Sequence, residues 1–547
     1  MANAPSAFNP LFSRLVAILP LSLTALWLNK PLAKVLIPVL STLSAYLLIE
    51  RLIMRLAKLP HDTYFEPHLT LSVLSNIGTI PILIMSTLLI FAWKNGSLLS
   101  RWQAFHQGEA IRYFVLFLAF LIVWPLVTLG YNFYFNQGYS LDRILLLTLF
   151  LALWWRPVFI LPFLVLAFAM LLQLKQPNLG GSILAHKVQV LNVLIMFAAV
   201  FIIHAFSGYR KTHTFVFMCC CLVASAYWLP AFAKLQTGWL NHGQLHYMTM
   251  AAYAHGWLGF LQPSTIVNIS QHLAWFEWPM RIFVIVVEVG CLLFMLRPVI
   301  SVTLLGAVII FHLGVFLLIG FLFWTWILLD IALLFLLLKG WQTQAWSIYS
   351  KHYFVCSLIL IGLCAYWAKP PALAWFDTRV SYTYQIEAIN EQGNQFILAP
   401  EYFAPYGDIF TMSSFNYLVK DHTVLVSPYG VTHSIGKADA LAQLCNAEQL
   451  IELENQHENI HYNQRRAITF YHFIKQFVTN HNQDVNSVID LYWLSPPRQF
   501  WSSRQYTVSD TKQPITQIII NEITTFYNDK SLQVVRKNEL MRMDINQ

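Results

Sequence analysis

Residues 214–234 have the sequence TFVFMCCCLVASAYWLPAFAK, in which 20 residues without a charged side chain precede Lys234. A transmembrane helix needs about 20 mostly apolar residues, so this stretch is long enough to cross a bilayer. The whole chain has a similar character: of its 547 residues, 57% are hydrophobic and 11% are charged, with a mean hydropathy of +0.54. Because a soluble domain carries roughly 25% charged residues, most of the chain is predicted to lie in a membrane.

Other apolar stretches predict further membrane spans. The 145–174 stretch is too long for one span and contains Arg156–Pro157, so a broken or re-entrant segment is predicted there. The sequence thus predicts a polytopic α-helical membrane protein with about 10 transmembrane helices. The remaining candidate spans are 12–28, 33–50, 70–93, 113–131, 188–206, 280–297, 300–319, 321–338 and 353–368.

The distribution of charge divides the chain at Pro371. Residues 1–371 contain 21 Lys and Arg but only 8 Asp and Glu, whereas residues 372–547 contain 13 basic and 18 acidic residues. The predicted domains are therefore a transmembrane domain over 1–371 and a small soluble α+β domain over 372–547. The net charge of +8 comes from basic membrane loops, so it does not indicate nucleic-acid binding.

Alternating and amphipathic patterns give a coarse prediction within and beside the soluble domain. Strands are predicted at 380–386, 423–426, 517–520 and 531–535, and helices between 437 and 481. The aromatic and histidine-rich segment 236–279 has no convincing span. It is predicted to form interfacial helices or a cap over the membrane domain.

Glu288 is unusual because it lies in the middle of the apolar run 282–295. An acid in the hydrocarbon region costs several kcal/mol, so its side chain must face the bundle interior or a polar partner. Two interpretations remain open from the residues alone. Glu288 is either a pocket residue or a structural acid that pairs with Arg281, His312 or a backbone group.

Lys234 and His312 also allow two interpretations each. Lys234 at the end of its apolar run is either a lysine that extends to the interface or a general base kept neutral by an apolar site. His312 in the span 300–319 is either a satisfied core histidine or a functional one. His242 and His246 are four residues apart but have no carboxylate at matching spacing, so no metal site is predicted. The chain also lacks P-loop, dinucleotide-binding, nucleophile-elbow and H-E-x-x-H motifs.

Two patterns resemble the vitamin K-dependent gamma-carboxylase family, whose bacterial relatives are grouped as the horizontally transferred transmembrane (HTTM) domain. The run YWLPAFAKL at 227–235, followed by Trp239 and Gly243, is similar to the family signature K-L-x-x-x-W-x-x-G, with the glycine one place late. Downstream, the sequence resembles the family's acid–helix–F-H–I-G-x-F pattern. The matching residues there are Glu288-Val289-Gly290, Arg297, Phe311-His312 and Ile319-Gly320-Phe321.

The resemblance implies a membrane enzyme that couples oxidation of a reduced quinone to carboxylation of glutamate in a peptide or protein. Family members use a lysine to deprotonate reduced vitamin K, and reaction with oxygen then yields a base that is strong enough to remove a glutamate γ-proton before CO2 adds. By this resemblance Lys234 is the base and His312 helps to position the quinone chemistry. Glu288 and Trp239 belong to the pocket, and His186 occupies the place of another family histidine.

The expected cofactor is a reduced vitamin K or menaquinone-type quinol, with O2 and CO2 as co-substrates and no metal. The expected partners are the lipid bilayer, the quinol and a Glu-containing peptide or protein. The expected location is the bacterial inner (cytoplasmic) membrane, which the chain would cross many times.

Two other functions are compatible with the sequence. The first is a non-catalytic membrane factor for peptide maturation, immunity or assembly, in which an exposed aromatic turn at 402–407 in the soluble domain is a docking surface. The second is a transporter, for which the basis is Glu288 and Asp330 within apolar helices, although no inverted repeat is visible. The matching positions of Lys234 and His312 favour the enzyme.

Overall fold

In the computed structural model, the described residues are 30–65, 68–75, 109–128, 140–180, 188–207, 212–342, 347–456, 461–483, 492–504 and 513–545. Most of them are helical, and all the strands among them lie beyond residue 375. Numbered through the described residues, the helices before the strands are α1 (Lys30–Ala57), α2 (Leu69–Ser75), α3 (Glu109–Thr128), α4 (Ser140–Trp155), α5 (Ile160–Leu174), α6 (Val188–Ser207), α7 (Thr212–Gln236), α8 (Trp239–His242), α9 (His246–Ala254), α10 (Pro263–Trp275), α11 (Glu277–Gly290), α12 (Pro298–Ile319), α13 (Trp324–Gln342), α14 (Lys351–Gly362) and α15 (Cys364–Trp367).

Five helices among the described residues are long and apolar enough to cross a membrane. About 10 transmembrane helices were expected, and that number is not confirmed. The predicted span 12–28 and most of 70–93 lie outside the described residues. The stretches 280–297 and 353–368 instead yield the shorter helices α11 and α14, of 14 and 12 residues. The five long segments are Leu32–Ala57, Ala110–Thr128, Pro157–Leu174, His213–Gln236 and Pro298–Ile319.

The predicted interruption at Arg156–Pro157 is present. Helix α4 ends at Trp155, Arg156 is extended, and a 3-10 turn over Pro157–Phe159 leads into α5. A residue before proline is disfavoured in the α region because the proline ring clashes with its backbone, and this explains the break.

Helix α12 exposes large apolar side chains, including Ile310 and Leu317, which are 64% and 69% exposed. Exposed apolar surface of this kind on a helix of 22 residues is suited to contact with lipid. The opposite side of α12 packs on α13 and α11. This arrangement directs His312, which is 6% exposed, toward the interior.

The strands of the C-terminal part are β1 (Phe376–Asp377), β2 (Val380–Asn390), β3 (Gln395–Ile397), β4 (Val431–Thr432), β5 (Ile515–Tyr527) and β6 (Leu532–Asp544). They form a four-stranded antiparallel sheet in the order β3-β2-β5-β6 and a two-stranded pair, β1-β4. Ile386 of β2 lies opposite Ile520 of β5, and the long strands β5 and β6 form a hairpin. Short and amphipathic helices surround the sheet: α16 (Gly407–Met412), α17 (Ile435–Ala442), α18 (Ala447–Gln456) and α19 (Gln464–Asn482).

Two sequence predictions for this part are wrong. Residues 423–426 form bends rather than a strand, because Val424 and Leu425 are buried by packing without pairing to a neighbouring strand. The turn at 402–407 is not an exposed docking surface. Phe403 and Tyr406 are each 1% exposed, and Phe403 stacks on Phe410 at a ring separation of 3.9 Å.

The segment 236–279 forms the three short helices α8, α9 and α10, and α9 contacts both α12 and the sheet strands β2 and β5. The motif residue Gly320 makes a second connection between the two parts of the chain. Its carbonyl accepts a hydrogen bond from the Trp501 amide, and the neighbouring Leu322 amide donates to Gln499 O. Gly320 has φ +72°, and a Cβ at this position would lie 2.7 Å from the Trp257 ring, so glycine is required here.

Candidate functional site

Helix α7 carries Tyr227 and Lys234 on one face. The two residues are seven positions apart, which is close to two turns at 3.6 residues per turn and about 10 Å along the axis. The helix is buried over most of its length, so both side chains enter the protein interior. Each of them contacts an acidic residue on a different neighbouring helix.

Lys234 forms an ion pair with Glu288 of α11. Lys234 Nζ lies 2.5 Å from Glu288 Oε1, and the two side chains are 11% and 4% exposed. Glu288 therefore pairs with the lysine and not with Arg281 or His312, the other candidate partners. The second carboxylate oxygen, Glu288 Oε2, is buried and has no hydrogen-bond partner among the described residues. A buried acceptor without a donor is costly, so this atom is an unsatisfied polar group in the described structure.

Trp239 borders the lysine on another side. Lys234 Nζ lies 5.4 Å from the centroid of the Trp239 ring, and Trp239 is 3% exposed. In a continuous helix a residue five positions after Lys234 would point about 140° away from it. Gly238 has φ +69°, and this left-handed residue turns the chain so that α8 begins at Trp239. The turn explains how the K-L-x-x-x-W spacing can place the indole beside the ammonium group, where a cation–π contact is favourable.

His312 belongs to a hydrogen-bonded chain with Tyr227 and Asp330. The Tyr227 hydroxyl donates to Asp330 Oδ2 at 2.6 Å and lies 3.1 Å from His312 Nε2. Since the single hydroxyl proton of Tyr227 is used on Asp330, His312 Nε2 carries the proton that it donates to Tyr227. His312 Nδ1 is then a lone-pair acceptor, and this atom is buried with no partner among the described residues.

The C-terminal part closes the Lys234 side of the site. Phe376 of β1 packs in a cluster with Trp239 and Ala438. The next residue, Asp377, is 4% exposed, and neither of its carboxylate oxygens has a hydrogen-bond partner among the described residues. Burial raises the pKa of Asp377 well above its usual range; the Glu277 carboxylate raises it further, whereas the Lys234 ammonium lowers it. Asp377 is therefore a carboxyl group near Lys234 that favours its protonated form.

Two histidines of segment 236–279, His242 and His246, each contact a separate carboxylate. His246 Nδ1 lies 2.5 Å from Glu277 Oε2, and His242 Nδ1 lies 3.1 Å from Asp439 Oδ1. Arg281 donates to the Leu240 carbonyl at 2.7 Å. Within the described ranges, no group of three or more His, Cys, Asp or Glu side chains is arranged to hold a metal ion.

The structure thus brings together Lys234, Glu288 and Trp239. His312 of α12 lies in a second cluster, which contacts α7 through Tyr227, on the same face of α7 as Lys234. His186 lies outside the described residues. Sequence reasoning did not find Tyr227 or Asp377, and it treated Asp330 only as a possible transporter acid or span end. The seven-residue spacing of Tyr227 and Lys234 was the available signal for Tyr227, whereas nothing in the sequence connects Asp377 with a lysine 143 positions earlier.

No family model, curated protein or solved structure matches this chain.

Proposed function

We propose that this protein is a membrane enzyme of the vitamin K-dependent gamma-carboxylase type, which couples oxidation of a reduced quinone to carboxylation of glutamate in a peptide or protein. The proposal includes about 10 transmembrane helices over residues 1–371, a soluble domain over 372–547 and a location in the bacterial inner membrane. The observation that supports it is the buried Lys234–Glu288 pair, in which Nζ and Oε1 are 2.5 Å apart and Oε2 has no partner within the described part of the chain.

Lys234 is suited to act as a base because its acidic neighbour can take up the ammonium proton. At 2.5 Å, a proton can pass directly from Lys234 Nζ to Glu288 Oε1, and this transfer leaves a neutral amine beside a neutral carboxyl group. In apolar surroundings such a neutral pair avoids the desolvation cost of two charges. The resulting amine can accept a proton from an acidic O–H group of a substrate.

His312 is suited to accept a hydrogen bond from a second O–H group. Its Nε2 is bonded to Tyr227, and Asp330 in turn orients the Tyr227 hydroxyl, so Nδ1 is left without a partner among the residues that the structure describes. This arrangement resembles the way a carboxylate orients a catalytic histidine, with a tyrosine between the two. The role of Asp330 and Tyr227 is therefore to position His312.

The described residues fit a quinol. A hydroquinone carries two O–H donors on an apolar ring, and the two clusters contain two buried acceptors, Glu288 Oε2 and His312 Nδ1, for which the described residues provide no donor. A lipid-soluble quinol reaches such a site from the bilayer, and α12, which carries His312, exposes apolar side chains on its outer side. When bound, a reduced vitamin K or menaquinone-type quinol supplies the reducing electrons that, with O2 and CO2, the carboxylation requires.

Exclusion of water supports the same chemistry. Trp239 and Phe376 are 3% and 1% exposed, and they cover the Lys234 side with aromatic surface. A strongly basic group survives only where water cannot protonate it, so a covered site is needed for proton removal from glutamate.

The experiment is an assay of quinone epoxide formation by mass spectrometry. Full-length protein in nanodiscs receives vitamin K hydroquinone, O2, labelled bicarbonate and a short glutamate peptide. We expect epoxide and peptide label from the wild type, loss of at least 100-fold in Lys234→Ala, and unchanged rates in Lys351→Ala, a control at an exposed lysine. Equal epoxide formation by Lys234→Ala would reject Lys234 as the base. No epoxide from folded wild type with vitamin K or menaquinone hydroquinone would favour the non-catalytic alternative.

A further inference from the structure

A polar network lies between helix α18 and the four-stranded sheet. Its two acids are Glu454 of α18 and Glu522 of β5, which are 2% and 1% exposed. Tyr382 and Tyr384 of β2 and Arg536 of β6 complete the network. The two tyrosines are two residues apart and Glu522 lies opposite Tyr384. Because side chains alternate along a strand, these three groups share the face of the sheet on which α18 packs.

Each acid is held by one tyrosine and by the same arginine. The Tyr382 hydroxyl donates to Glu454 Oε1 at 2.7 Å, and the Tyr384 hydroxyl donates to Glu522 Oε2 at 3.2 Å. Arg536 donates from Nη1 to Glu454 Oε2 at 3.0 Å, and its Nη2 lies 3.6 Å from Glu522 Oε1. One guanidinium group therefore faces two buried acids.

The charges of this network do not balance when both acids are ionised. Two carboxylates and one guanidinium group leave one negative charge in excess, and a buried charge without a partner is costly. The Asp421 carboxylate, which accepts a hydrogen bond from Asn538 at 2.8 Å, is a further negative group that acts on both acids. Binding of one proton removes the excess charge, so the folded network favours the state in which one acid is neutral.

The electrostatic surroundings of Glu522 place this protonation near neutral pH. Burial raises the pKa of Glu522 to about 7, although Arg536 and Tyr384 oppose the rise. The Glu454 and Asp421 carboxylates contribute to it, and burial raises the pKa of Glu454 as well. An unfolded glutamate has a pKa of about 4.3. The stability contributed by the bound proton is therefore fully present below about pH 4 and is lost as the pH rises through about 7.

Helix α18 depends strongly on this network for its position. Of its 10 residues two are buried, Leu450 and Glu454, which are one turn apart. Glu454 therefore supplies one of the two buried contacts that hold the helix. A helix of this length is marginal by itself in water, so weakening one of these contacts should loosen α18 as a unit.

We propose that this network is a pH switch, which holds α18 on the sheet while it retains one proton and loosens the helix as the pH rises above neutrality. Helices α17 and α18 are joined by the short connection 443–446. Ala438 of α17 packs in the cluster with Trp239 beside Lys234. Loosening of α18 therefore removes support from one end of the helix that covers the Lys234 side of the candidate site. The switch requires no quinol and no turnover, so it is tested independently of the proposed enzyme activity.

The experiment is hydrogen–deuterium exchange, measured by mass spectrometry on the full-length protein in nanodiscs at pH 6 and pH 8. The intrinsic exchange rate at each pH converts the exchange of the α18 amides into protection factors. We expect the protection of α18 to be about 10-fold lower at pH 8 than at pH 6, which is the effect of one proton held with a pKa near 7. The protection of α19, another helix of the soluble domain, should change by less than about 2-fold.

Two variants test the shared arginine. Glu522→Gln and Glu454→Gln each leave one carboxylate for one guanidinium group, so the α18 protection factor should become equal at the two pH values. The matched control is Glu539→Gln, the same substitution at an exposed glutamate of β6, which should behave as the wild type does. The thermal unfolding midpoint at pH 6 checks that each variant is folded.

Three results would overturn the proposal. The first is equal α18 protection at pH 6 and pH 8 in the wild type, which requires no variant. The second is a decrease that α19 shares equally, because it would show a loss of stability throughout the soluble domain. The third is a 10-fold decrease that persists in folded Glu522→Gln or Glu454→Gln.

Discussion

Tyr227 and Lys234 project from the same face of α7, two turns apart, and each contacts an acidic residue on a different helix. Tyr227 donates to Asp330 of α13 at 2.6 Å, and Lys234 pairs with Glu288 of α11 at 2.5 Å. One helix therefore positions two polar clusters inside apolar surroundings. Two atoms of these clusters, Glu288 Oε2 and His312 Nδ1, have no hydrogen-bond partner in the described ranges, and both belong to residues that the motifs identify.

Removing only one member of the Lys234–Glu288 pair should destabilise the folded protein. Glu288→Ala or Lys234→Ala leaves a buried charge without its partner, and either is expected to lower the free energy of unfolding by about 3–5 kcal/mol. Lys234→Met combined with Glu288→Leu removes both charges and should recover most of this loss while abolishing activity. Equilibrium unfolding in mixed micelles measures both effects. Single variants as stable as the wild type would show that the pair is not formed.

Tyr227→Phe should show whether activity depends on the orientation of the His312 ring, because the substitution removes the hydroxyl that bonds Nε2 but leaves the ring present. The substitution leaves His312 Nε2 and Asp330 Oδ2 without their shared partner, at a cost of about 1–3 kcal/mol. Epoxide formation should fall with it, whereas Asp330→Asn retains an acceptor oxygen for the hydroxyl and should have the smaller effect. Rates and unfolding free energies for both variants check this order, and a larger loss in Asp330→Asn would contradict it.

The raised pKa of Asp377 predicts that the stability of the folded protein depends on pH. Its folded-state pKa is raised, so the stability contributed by the protonated carboxyl is fully present below the unfolded pKa of about 3.9 and is lost as the pH rises through the folded pKa. Asp377 should therefore contribute a decrease in the free energy of unfolding as the pH rises from about 4 towards neutrality.

In Asp377→Asn the free energy of unfolding should lack the decrease that Asp377 contributes, because the asparagine side chain has no proton to lose. Unfolding free energies at four pH values in that range provide the measurement. Asp62→Asn is the control, because the Asp62 side chain is fully exposed. Parallel pH curves for the wild type and Asp377→Asn would show that Asp377 ionises normally.

Trp239 should stabilise the ammonium form of Lys234 through its ring face. Trp239→Leu keeps an apolar side chain but removes the π-system, and the loss is expected to be about 0.5–2 kcal/mol. Trp239→Phe keeps a weaker aromatic face and should fall between the wild type and Trp239→Leu. Unfolding free energies of the three proteins test this order, and equal values for Phe and Leu would exclude a cation–π contribution.

The sequence was sufficient to predict a helical membrane protein and to select Lys234, Glu288, Trp239 and His312. It was not sufficient to predict the partner of Glu288, because the choice among lysine, arginine and histidine depends on how α7 and α11 cross. Asp377 could not be predicted, since only the folded chain places β1 against Trp239.

The wrong predictions have a common physical cause. The sequence patterns at 402–407 and 423–426 show that the residues are apolar or aromatic. They do not distinguish a residue that is buried by packing from one that lies in a paired strand or is exposed to solvent. In the folded chain Phe403 and Leu425 are buried by neighbouring side chains, at 1% and 2% exposure.

The role of Lys234 as a base is tested by chemical rescue. Lys234→Ala leaves a cavity beside Glu288, and small primary amines added to this variant can occupy the place of the ammonium group. We expect epoxide formation to be absent without amine and to return with methylamine or ethylamine, at a rate that rises with the basicity of the amine. Epoxide formation by Lys234→Ala at the wild-type rate without amine, or rescue independent of amine basicity, would contradict the assignment of Lys234 as the base.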